Sequence, residues 1–391
     1  MNLKNKHKSN SPNRSYKICK RCVMDTSDKW IFFDNEGICN HCKDFLNKRL
    51  KESVSRVEDN SKLEMFFDKI KKERRRRAKH DVAIDISGGV DSSMTAFLAQ
   101  KAGLRVLLIH MDNCWDSPIA SHNINQLISL PGIDYHAEVL EWNNFKKIQR
   151  IMIESGVPDI ELPTDSALNL VVPKIAIKYD IRTILSGGNI QNEGILPLSW
   201  MYNPKDSLYI NSITKKAGLP LSILSPIRFG LRQDLYYRFY HIIKTFYPLN
   251  MIKYDKKHVR EILKKELNWK NPGLNHSESI FTRFCQQIYQ PRRHKMDYRR
   301  AHLSQDICLK RISRDEALEE LKREPWADLD VDFHLAFIAH KLDYTIEELN
   351  NLMNQPALWY TDYPNREKTM GTIYNIYRLL RGKSWANSFW G

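Results

Sequence analysis

The sequence predicts an α/β fold with a parallel sheet, preceded by a small cysteine-rich module and followed by a helical region. Three observations support this prediction. From residue 81 onwards, short apolar, β-branched runs alternate with helical patterns, which is typical of βαβ units. Two Cys-x-x-Cys pairs lie near the start of the chain, separated by residues 23–38. The last third contains helix-capping signals and is aromatic-rich.

The 391 residues divide into five predicted segments. They are a disordered tail at 1–15, a four-cysteine module at 16–50, a linker helix at 51–80, the sheet domain at 81–265 and a helical substrate or partner region at 266–391. The tail is polar and has no hydrophobic periodicity. The linker is highly charged but carries apolar residues at helical spacing, so we expect one long helix there.

Composition limits the class of protein. The net charge of +15 favours an anionic partner, which includes nucleotides, sugar nucleotides, nucleic acid and membrane surfaces. We interpret the basic run at 69–79 as a solvated helix end rather than a nucleic-acid patch. No apolar run is long enough to cross a bilayer, and the polar start of the chain lacks the apolar core of a secretory signal. The predicted location is therefore the cytoplasm.

The first module carries two knuckles, Cys19 with Cys22 and Cys39 with Cys42. In a reducing cytoplasm, thiolates at this spacing more often bind a metal than form disulfides, so we expect a structural zinc site. The metal then supplies folding energy that so small a module cannot obtain from a core. The alternative is that the cysteines are unmetallated or redox-active. Residues 30–37, between the knuckles, are predicted to form a strand and a turn.

The first predicted strand, 82–86, leads through a loop of small residues into a helix that ends near Gly103. Glycines let the loop turn sharply and approach a ligand closely, and the free N–H groups of the first helical turn point at an anion. Asp91 would repel a bare phosphate, so we expect it to bind Mg²⁺ that bridges phosphates. The alternative is a turn that binds nothing. The expected phosphate contacts are Ser87, Gly88, Gly89, Val90, Asp91, Ser92 and Ser93.

Other polar residues follow the later strands and are expected at the same edge of the sheet. Asp112 follows the strand at 105–110 and is predicted to meet adenine or ribose, or else to cap a turn. Gly188 and Asn189 follow the strand at 182–186 and are predicted to meet the α-phosphate or ribose. Glu193 is a candidate for Mg²⁺ binding or for handling the nucleophile. The predicted helix at 209–215 is expected to lie over the site.

Further strand and helix predictions complete the sheet domain. Residues 135–140 form a third short strand and residues 145–155 a helix. The next helix begins near Pro163, and Thr164 or Asp165 is a possible N-cap. In the C-terminal region, Ser-x-x-Glu at 313–316 and Thr-x-x-Glu at 345–348 predict capping boxes.

The C-terminal region also contains a cluster of polar residues beside aromatics at 268–284, followed by a basic run at 292–302. Such groups suit a sugar carboxylate or a diphosphate, and the alternative is a solvated basic face. The predicted substrate-binding residues are Asp165, Lys270, His276, Glu278 and Arg283. The basic run comprises Arg292, Arg293, His294, Lys295, Arg299, Arg300 and His302.

The loop sequence Ser-Gly-Gly-Val-Asp-Ser-Ser after a buried strand resembles the PP-loop of the ATP pyrophosphatases. This superfamily, of adenine nucleotide alpha hydrolase-like fold, includes GMP synthetase, asparagine synthetase and tRNA thiolases. The resemblance implies that ATP is cleaved between its α- and β-phosphates, and that AMP is transferred to a carbonyl-type oxygen which a nucleophile then displaces. It also implies catalytic roles for Ser87, Asp91 and Glu193.

The two knuckles, the loop, Pro163-Thr164-Asp165, Gly188-Asn189, Asn268-Trp269-Lys270 and the run from Glu278 to Phe284 together resemble the N-acetyl sugar amidotransferases of bacterial surface-polysaccharide synthesis. The resemblance covers about residues 16–325. It implies conversion of a sugar acetamido group, usually on a nucleotide sugar, into an acetamidino group. It also implies ammonia from a separate glutaminase and cyclase-like pair, similar to the two subunits of imidazole glycerol phosphate synthase. Ser166, Gly188 and Leu274-Asn275 depart from the family pattern.

Two alternatives belong to other classes. A tRNA thiolase also combines this type of ATP site with zinc knuckles, and a net charge of +15 suits tRNA. Such enzymes need a reactive cysteine or a metal–sulfur cluster, and only Cys114, Cys285 and Cys308 remain here after the knuckles. The second alternative is a non-catalytic ATP-binding or partner-binding scaffold with a degenerate site.

Overall fold

The computed structural model describes residues 15–50, 61–74, 78–273 and 278–373. Five parallel strands form the central sheet in the order β3-β2-β1-β4-β5. The order reverses on either side of β1, and ligands of open α/β sheets bind beyond the carboxyl ends of the strands at such a point. The strands are β1 (Val82–Asp85), β2 (Val106–Asp112), β3 (Ile133–Val139), β4 (Thr183–Leu185) and β5 (Lys244–Phe246).

Helices cover both faces of the sheet and form the C-terminal region. Those of the described residues are α1 (Asn40–Asp44), α2 (Ser61–Lys72), α3 (Val90–Lys101), α4 (Pro118–Ile128), α5 (Trp142–Ser155), α6 (Leu162–Lys178), α7 (Ile190–Glu193), α8 (Ser207–Lys216), α9 (Leu231–Phe239), α10 (Lys256–Leu267), α11 (Ile280–Phe284), α12 (Arg299–Cys308), α13 (Arg314–Glu320), α14 (Val331–Lys341) and α15 (Ile346–Asn354). π-Helical turns follow α1 (Phe45–Arg49) and α11 (Cys285–His294). Short 3₁₀ segments lie at Leu221–Ile227, Pro248–Met251 and Tyr360–Asp362.

The two faces of the sheet belong to two hydrophobic cores. Val82 and Ile84 of β1 pack with α2, α3, α4 and α10, whereas Ala83 packs with α5, α6 and the C-terminal helices. This division follows from the alternation of side chains along a strand. Because both faces are covered, the central strands are apolar throughout, which made them recognisable in the sequence.

The cysteine module packs against the helical region. The side chain of Arg314 at the start of α13 donates through Nε to the backbone oxygens of Cys19 (3.3 Å) and Cys22 (3.2 Å). The N–H of Val23 donates to Ser304 Oγ of α12 (3.2 Å). These contacts tie the first and last parts of the chain together. The predicted fold class is confirmed: a parallel α/β sheet, an N-terminal four-cysteine cluster and a helical C-terminal region.

Several element predictions need correction. The linker helix is α2 alone, and its backbone leaves helical geometry before Arg74, whose side chain pairs with Asp81 ahead of β1 (2.7 Å). The rest of that predicted helix at 51–60 and 75–77 lies outside the described residues. No strand forms at 30–37, where the structure has only an isolated bridge between Phe33 and Cys39. Strand β5 was not predicted, because its Lys-Thr-Phe sequence lacks an apolar run and lies at the sheet edge.

Two further corrections concern the surroundings of the site. Helix α6 begins one residue after Glu161, so Thr164 and Asp165 lie within its first turn rather than at its N-cap. Helix α8 does not lie over the site, because Tyr209, Ile210 and Ile213 bury its apolar face in the core. Both predicted capping boxes, which open α13 and α15, are confirmed. Among the helices of the described residues, none combines the length and apolar composition that a membrane crossing requires.

Candidate active site

The loop between β1 and α3 is held in shape by its own hydroxyl groups. Gly89 is the N-cap of α3, and its N–H donates to Ser87 Oγ (3.3 Å). Ser87 Oγ also lies 3.3 Å from Ser92 Oγ. Gly88 has a φ of +76°, a conformation that L side chains rarely adopt. The loop therefore opens the first turn of α3 toward solvent, where its N–H groups are available to an anion.

A cavity of about 330 Å³, hereafter the loop cavity, lies in front of this turn. Its walls come from the loop, from the glycine turn after β4 and from α10. Lys256 and Arg260, one helical turn apart on α10, are the two cations in its described lining, which also includes the carboxylates Asp85, Asp91, Asp165, Glu193 and Glu278. Helix N–H groups, hydroxyls and two cations suit a polyphosphate, and the carboxylates suit the divalent cation that accompanies it.

Asp91 lies in the first turn of α3 and is fixed by groups from three other elements. Its Oδ1 accepts hydrogen bonds from Asn189 Nδ2 (3.3 Å), Asn192 Nδ2 (3.0 Å) and the hydroxyl of Tyr254. Its Oδ2 lies 3.8 Å from Lys256 Nζ. Burial, together with the charge of Asp91, raises the pKa of Tyr254, so the phenol remains a donor. The carboxylate is thus held in a defined orientation at the edge of the loop cavity.

Glu278 closes the other side of the loop. Ser87 Oγ donates to its Oε1 (3.1 Å), and a Cβ on Gly89 would stand 2.5 Å from the same oxygen. The backbone positions it, because Ser117 N–H donates to Glu278 O (2.8 Å) and Ser279 forms a bridge with Asp116 after β2. The start of the C-terminal region therefore contributes a carboxylate directly to the loop.

A second cavity of about 350 Å³, hereafter the acidic cavity, shares one wall with the loop cavity. Among the described residues that line it there is no lysine or arginine. The carboxylates in its lining are Asp85, Asp116, Asp159, Glu161, Asp165, Glu193 and Glu278. Of these, Asp85, Asp165, Glu193 and Glu278 also line the loop cavity.

The acidic cavity changes the protonation of its groups. Burial raises the pKa of Asp85 to about 6, and the nearby His110 offsets only part of the effect. Burial likewise raises the pKa of Asp159 to about 6, despite hydrogen bonds from backbone N–H groups such as that of Tyr202. Burial lowers the pKa of His110, but Asp116, whose Oδ2 lies 2.8 Å from His110 Nε2, outweighs it and raises the pKa. The His110 imidazole is thus already paired with Asp116.

Most of the predicted site residues meet around the two cavities. Ser87, Asp165, Glu193 and Glu278 line both of them. Gly89, Val90, Asp91, Ser92 and Gly188 line the loop cavity. The predicted His276 lies outside the described residues. Gly88, Ser93, Asp112, Asn189, Lys270 and Arg283 are not among the lining residues of either cavity.

Four of these exceptions act behind the loop. A Cβ on Gly88 would meet the backbone oxygen of Ala120 at 2.5 Å, so this glycine allows the loop to pack closely on α4. Ser93 is fully buried. Asn189 is also fully buried and orients Asp91. Asp112 caps a turn, with its Oδ1 accepting from Cys114 N–H (2.7 Å).

The remaining exceptions come from the predicted substrate group. The side chain of Lys270 is exposed, while its backbone N–H and C=O bind the side chain of Asn123. Asn123 Nδ2 and Trp269 Nε1 both donate to Gly88 O (2.9 and 3.3 Å), so this segment braces the loop. Arg283 Nη2 contacts Pro272 O (3.4 Å), and burial lowers its pKa.

The hypothesis of an anion site in the basic run at 292–302 is not supported. Arg293 is buried and donates to Ile153 O (2.8 Å), and Arg299 pairs with Asp297 (2.7 Å). Arg300 pairs with Asp25 (3.1 Å). These cations are used for packing and for attachment of the cysteine module, and of the basic residues in the run His302 alone lines the loop cavity or the acidic cavity.

Sequence analysis missed the residues that give each cavity its charge. Lys256 and Arg260 lie in a region rich in lysine, so no pattern separates them from surface cations. Asp159 and Glu161 precede α6 without a motif. Asp85 carries a usable signal, since a carboxylate at the end of a buried strand, two residues before a phosphate-type loop, lies at the ligand edge of the sheet.

The four predicted cysteine ligands come together. Their Sγ atoms all lie within 4.8 Å of one another, with Cys22–Cys39 at 3.7 Å and Cys39–Cys42 at 3.6 Å. A tetrahedral site with Zn–S bonds of about 2.3 Å has sulfurs about 3.8 Å apart, so the donors fit zinc. The N–H of Met24 donates to Cys22 Sγ (3.4 Å), as expected for thiolates. A fifth thiol, Cys308 Sγ, lies 3.8 Å from Cys42 Sγ.

Comparison of the chain with solved structures gives distant similarities. An NH3-dependent NAD synthetase from Campylobacter jejuni is 17% identical with a TM-score of 0.27, over 42% of this chain and 76% of that one. An NMN synthetase from Francisella tularensis is 16% identical with a TM-score of 0.28, over 56% and 94%. The U34-tRNA thiolase NcsA from Methanococcus maripaludis is 15% identical with a TM-score of 0.30, over 79% and 90%. The curated proteins include no match.

Two family models match separate parts of the sequence. Residues 80–141 match the tRNA methyl transferase HUP domain. Residues 278–380 match the C-terminal domain described as LPS biosynthesis protein WbpG-like. The first match contains the whole loop from Ser87 to Ser93, and the second begins at Glu278. These matches confirm the predicted resemblance: the chain carries a HUP domain of the PP-loop type joined to a WbpG-like C-terminal domain.

Proposed function

We propose that this protein is an ATP-dependent amidotransferase that converts the acetamido group of a sugar, carried by a nucleotide, into an acetamidino group. The reaction belongs to lipopolysaccharide or other surface-polysaccharide biosynthesis in the cytoplasm. The observation that carries this proposal is the hydrogen bond from Ser87 Oγ to Glu278 Oε1 (3.1 Å). It joins a PP-loop to the first residue of a WbpG-like domain within one site.

The loop cavity supplies what pyrophosphate release needs. An amide carbonyl is a poor electrophile, and transfer of AMP to its oxygen creates a leaving group. The first turn of α3, with Ser87 and Ser92, donates to the phosphates, while Lys256 and Arg260 neutralise the departing pyrophosphate. Asp91 and Glu193, both in the lining of the loop cavity, would hold Mg²⁺, which would supply positive charge against the phosphates.

Nitrogen then replaces the activated oxygen. Ammonia attacks the imidate carbon, a C–N bond forms, the C–O bond to AMP breaks and AMP leaves with the bonding electrons. We propose that a glutaminase and a cyclase-like subunit supply the ammonia, and that zinc at the four cysteines stabilises the module that packs on α12 and α13. Asp165 and Glu278 contact the sugar from the wall that the two cavities share.

The test is mass spectrometry of reactions containing ATP, Mg²⁺, ammonium and a panel of UDP- and CMP-linked acetamido sugars. Replacement of oxygen by NH lowers the sugar mass by about one unit, with AMP and pyrophosphate formed in step. Asp91→Asn keeps the shape of the side chain and removes its charge, so it is expected to abolish product. Glu266→Gln, on the exposed side of α10, is the matched control and is expected to remain active.

Other outcomes would redirect the assignment. ATP cleavage stimulated by tRNA, with no sugar product, would indicate a thiolase. Of the described cysteines only Cys285 lines the acidic cavity, and burial raises the pKa of its thiol, which is unfavourable for a sulfur carrier. ATP binding without cleavage under all conditions would indicate a scaffold.

A further inference from the structure

The charge of the acidic cavity is opposite to that of the whole chain. The protein carries a net charge of +15, yet the described lining of this cavity has seven carboxylates (Asp85, Asp116, Asp159, Glu161, Asp165, Glu193 and Glu278) and no lysine or arginine. Among the described lining residues, His110 is a histidine whose Nε2 lies 2.8 Å from Asp116 Oδ2, so it is already paired with a carboxylate. An anionic sugar nucleotide would be repelled from such a cavity, whereas a small cation would be attracted.

One end of the cavity contains a buried acceptor, Gln290 Oε1, that has no donor among the described residues. Gln290 is 3% exposed, and its Nε2 donates to Pro158 O (3.1 Å). Its Oε1 is buried without a hydrogen-bond partner among the described residues. Asp159 is 6% exposed, and its backbone donors, the N–H of Tyr202 (2.8 Å to Oδ2) and the N–H groups of Glu161 and Leu162, are all neutral. A buried unpaired acceptor in a cavity of carboxylates favours a ligand that donates hydrogen bonds and carries positive charge.

We propose that the end of the acidic cavity formed by Asp159, Glu161 and Gln290 binds an ammonium ion, and that Asp85 accepts its proton where the acidic and loop cavities meet. The use of this nitrogen in catalysis rests on the proposed amidotransferase function, whereas the binding of the cation does not. Asp85 lines both cavities, so a nitrogen that moves from this end toward the phosphates passes its carboxylate.

Divalent metals fit this cavity less well. Among the described histidines, cysteines and acids, only the four knuckle cysteines come close enough together to hold a metal ion. The cavity carboxylates are therefore spread along the wall rather than gathered around one point. Ammonium needs separate acceptors around it, each of which accepts one N–H. The carboxylates of Asp159 and Glu161 and the amide oxygen of Gln290 are acceptors of this kind.

The proton transfers of the proposed reaction are also favoured by carboxylates in the cavity lining. Ammonium gives one proton to the Asp85 carboxylate, and the resulting ammonia attacks the imidate carbon as AMP departs. The neutral imidate becomes an amidinium cation, so positive charge develops beside Asp85, Asp165 and Glu193. Carboxylates placed before the reaction stabilise that charge without reorganisation. The raised pKa of Asp85, about 6, suits a group that takes up and releases a proton near neutral pH.

The cation site can be tested without ATP or sugar. Crystals of the full chain are soaked in thallium(I) acetate, because Tl⁺ has nearly the size of ammonium and scatters anomalously. The expected result is an anomalous peak between Asp159, Glu161 and Gln290 that ammonium chloride displaces and sodium chloride does not. Absence of this peak, or a peak only on the protein surface, would overturn the proposal.

Kinetics then tests the catalytic part. Glu161→Gln and Gln290→Leu are each expected to raise the KM for ammonium chloride roughly tenfold or more through loss of one hydrogen bond to a cation, and to leave the KM for ATP within about twofold. Glu266→Gln is the control. An unchanged KM for ammonium in both variants would reject the site. If no sugar is amidated at all but Tl⁺ still binds and ammonium displaces it, the function proposal fails and the ammonium site stands.

Discussion

The orientation of the Asp91 carboxylate depends on donors from other parts of the chain more than on its position in the loop. Three donors from outside α3 converge on one of its oxygens, which leaves the other oxygen beside Lys256 at 3.8 Å. The donors Asn189, Asn192 and Tyr254 follow Asp91 by at least 98 residues in the chain. The Asp91 carboxylate is therefore oriented by tertiary contacts. Removing the carboxylate and removing one of its donors should have different effects on activity.

Tyr254→Phe tests this orientation. The substitution removes a hydroxyl donor to a charged acceptor at a side chain that is 1% exposed, so we expect a loss of about 1.5–3 kcal/mol in the free energy of unfolding. Pyrophosphate release should slow while Asp91 itself remains. Denaturant unfolding and a pyrophosphate assay measure the two effects. Tyr240→Phe, at a tyrosine that is 71% exposed, is the control, and equal losses in both variants would contradict the prediction.

Asp85 makes stability depend on pH with a defined sign. Its pKa is about 6 in the fold and about 3.9 in an unfolded chain, so the fold favours the protonated form. The associated stability is present below about pH 4 and is lost as the pH rises to about 6. Above that pH, the ionised Asp85 lowers the free energy of unfolding by on the order of 2–3 kcal/mol. The neighbouring His110 already offsets part of the effect of burial.

Asp85→Asn cannot ionise, so we expect it to raise the melting temperature at pH 8 and to leave it nearly unchanged at pH 4. Thermal unfolding at both pH values is the measurement. Asp332→Asn, at an exposed position of α14, should stabilise at neither pH. A melting temperature that Asp85→Asn lowers at pH 8 would mean that the charge is compensated in the fold.

At the scale of elements, the loop between β1 and α3 depends on α4 as well as on its own glycines. Gly88 O accepts from Asn123 of α4 and from Trp269, which follows α10. The resulting contact is so close that no side chain fits at Gly88. The loop conformation is thus determined by two helices that pack on the same face of the sheet.

Gly88→Ala and Gly103→Ala separate steric contact from backbone strain. Both glycines have positive φ, +76° and +75°, so an alanine costs about 1 kcal/mol or more at either position. Only at Gly88 would the new Cβ meet backbone, Ala120 O at 2.5 Å, whereas at Gly103 nothing lies within 4 Å. We expect Gly88→Ala to destabilise by at least about 2 kcal/mol more in urea unfolding. Equal effects would mean that α4 moves aside freely.

In the molecule as a whole, the cysteine module and the WbpG-like domain pack against each other and share a hydrophobic core. Arg314 of α13 binds the backbone of both residues of the first knuckle, and Cys308 of α12 lies beside Cys42. The side chains of Met24 and Ile31 share a core with Trp200 and Tyr298. Loss of a bound metal should therefore destabilise the C-terminal helices as well as the cysteine module.

Metal content distinguishes the cysteines. The wild-type protein is expected to contain about one zinc per chain, and a chelator should lower its melting temperature because binding energy of the metal is folding energy. Cys39→Ser should lose the zinc, whereas Cys308→Ser should retain it, since the four knuckle thiols already complete a tetrahedral site. Elemental analysis and thermal unfolding measure both. Zinc loss in Cys308→Ser would make Cys308 a ligand.

The features of this protein that could be predicted from its sequence are local ones. Buried strands, the Ser87–Ser93 loop, the two knuckles and both capping boxes depend on residues close together in the chain, so their patterns are legible without tertiary structure. The carboxyl ends of parallel strands also follow from the βαβ pattern, which is why Glu193 and Asp165 were predicted at the edge that β1 and β4 share.

Which charged groups meet depends on contacts between distant parts of the chain. Asp85 at the end of β1 and the segment that carries Asp159 and Glu161 before α6 line one acidic cavity, while Lys256 and Arg260 of α10 are the cations in the described lining of the loop cavity. In the sequence, these residues are indistinguishable from the many other charged groups, because a side chain acquires its protonation and its partners from burial and from distant elements. The same reason explains why the basic run at 292–302 pairs internally instead of binding an anion.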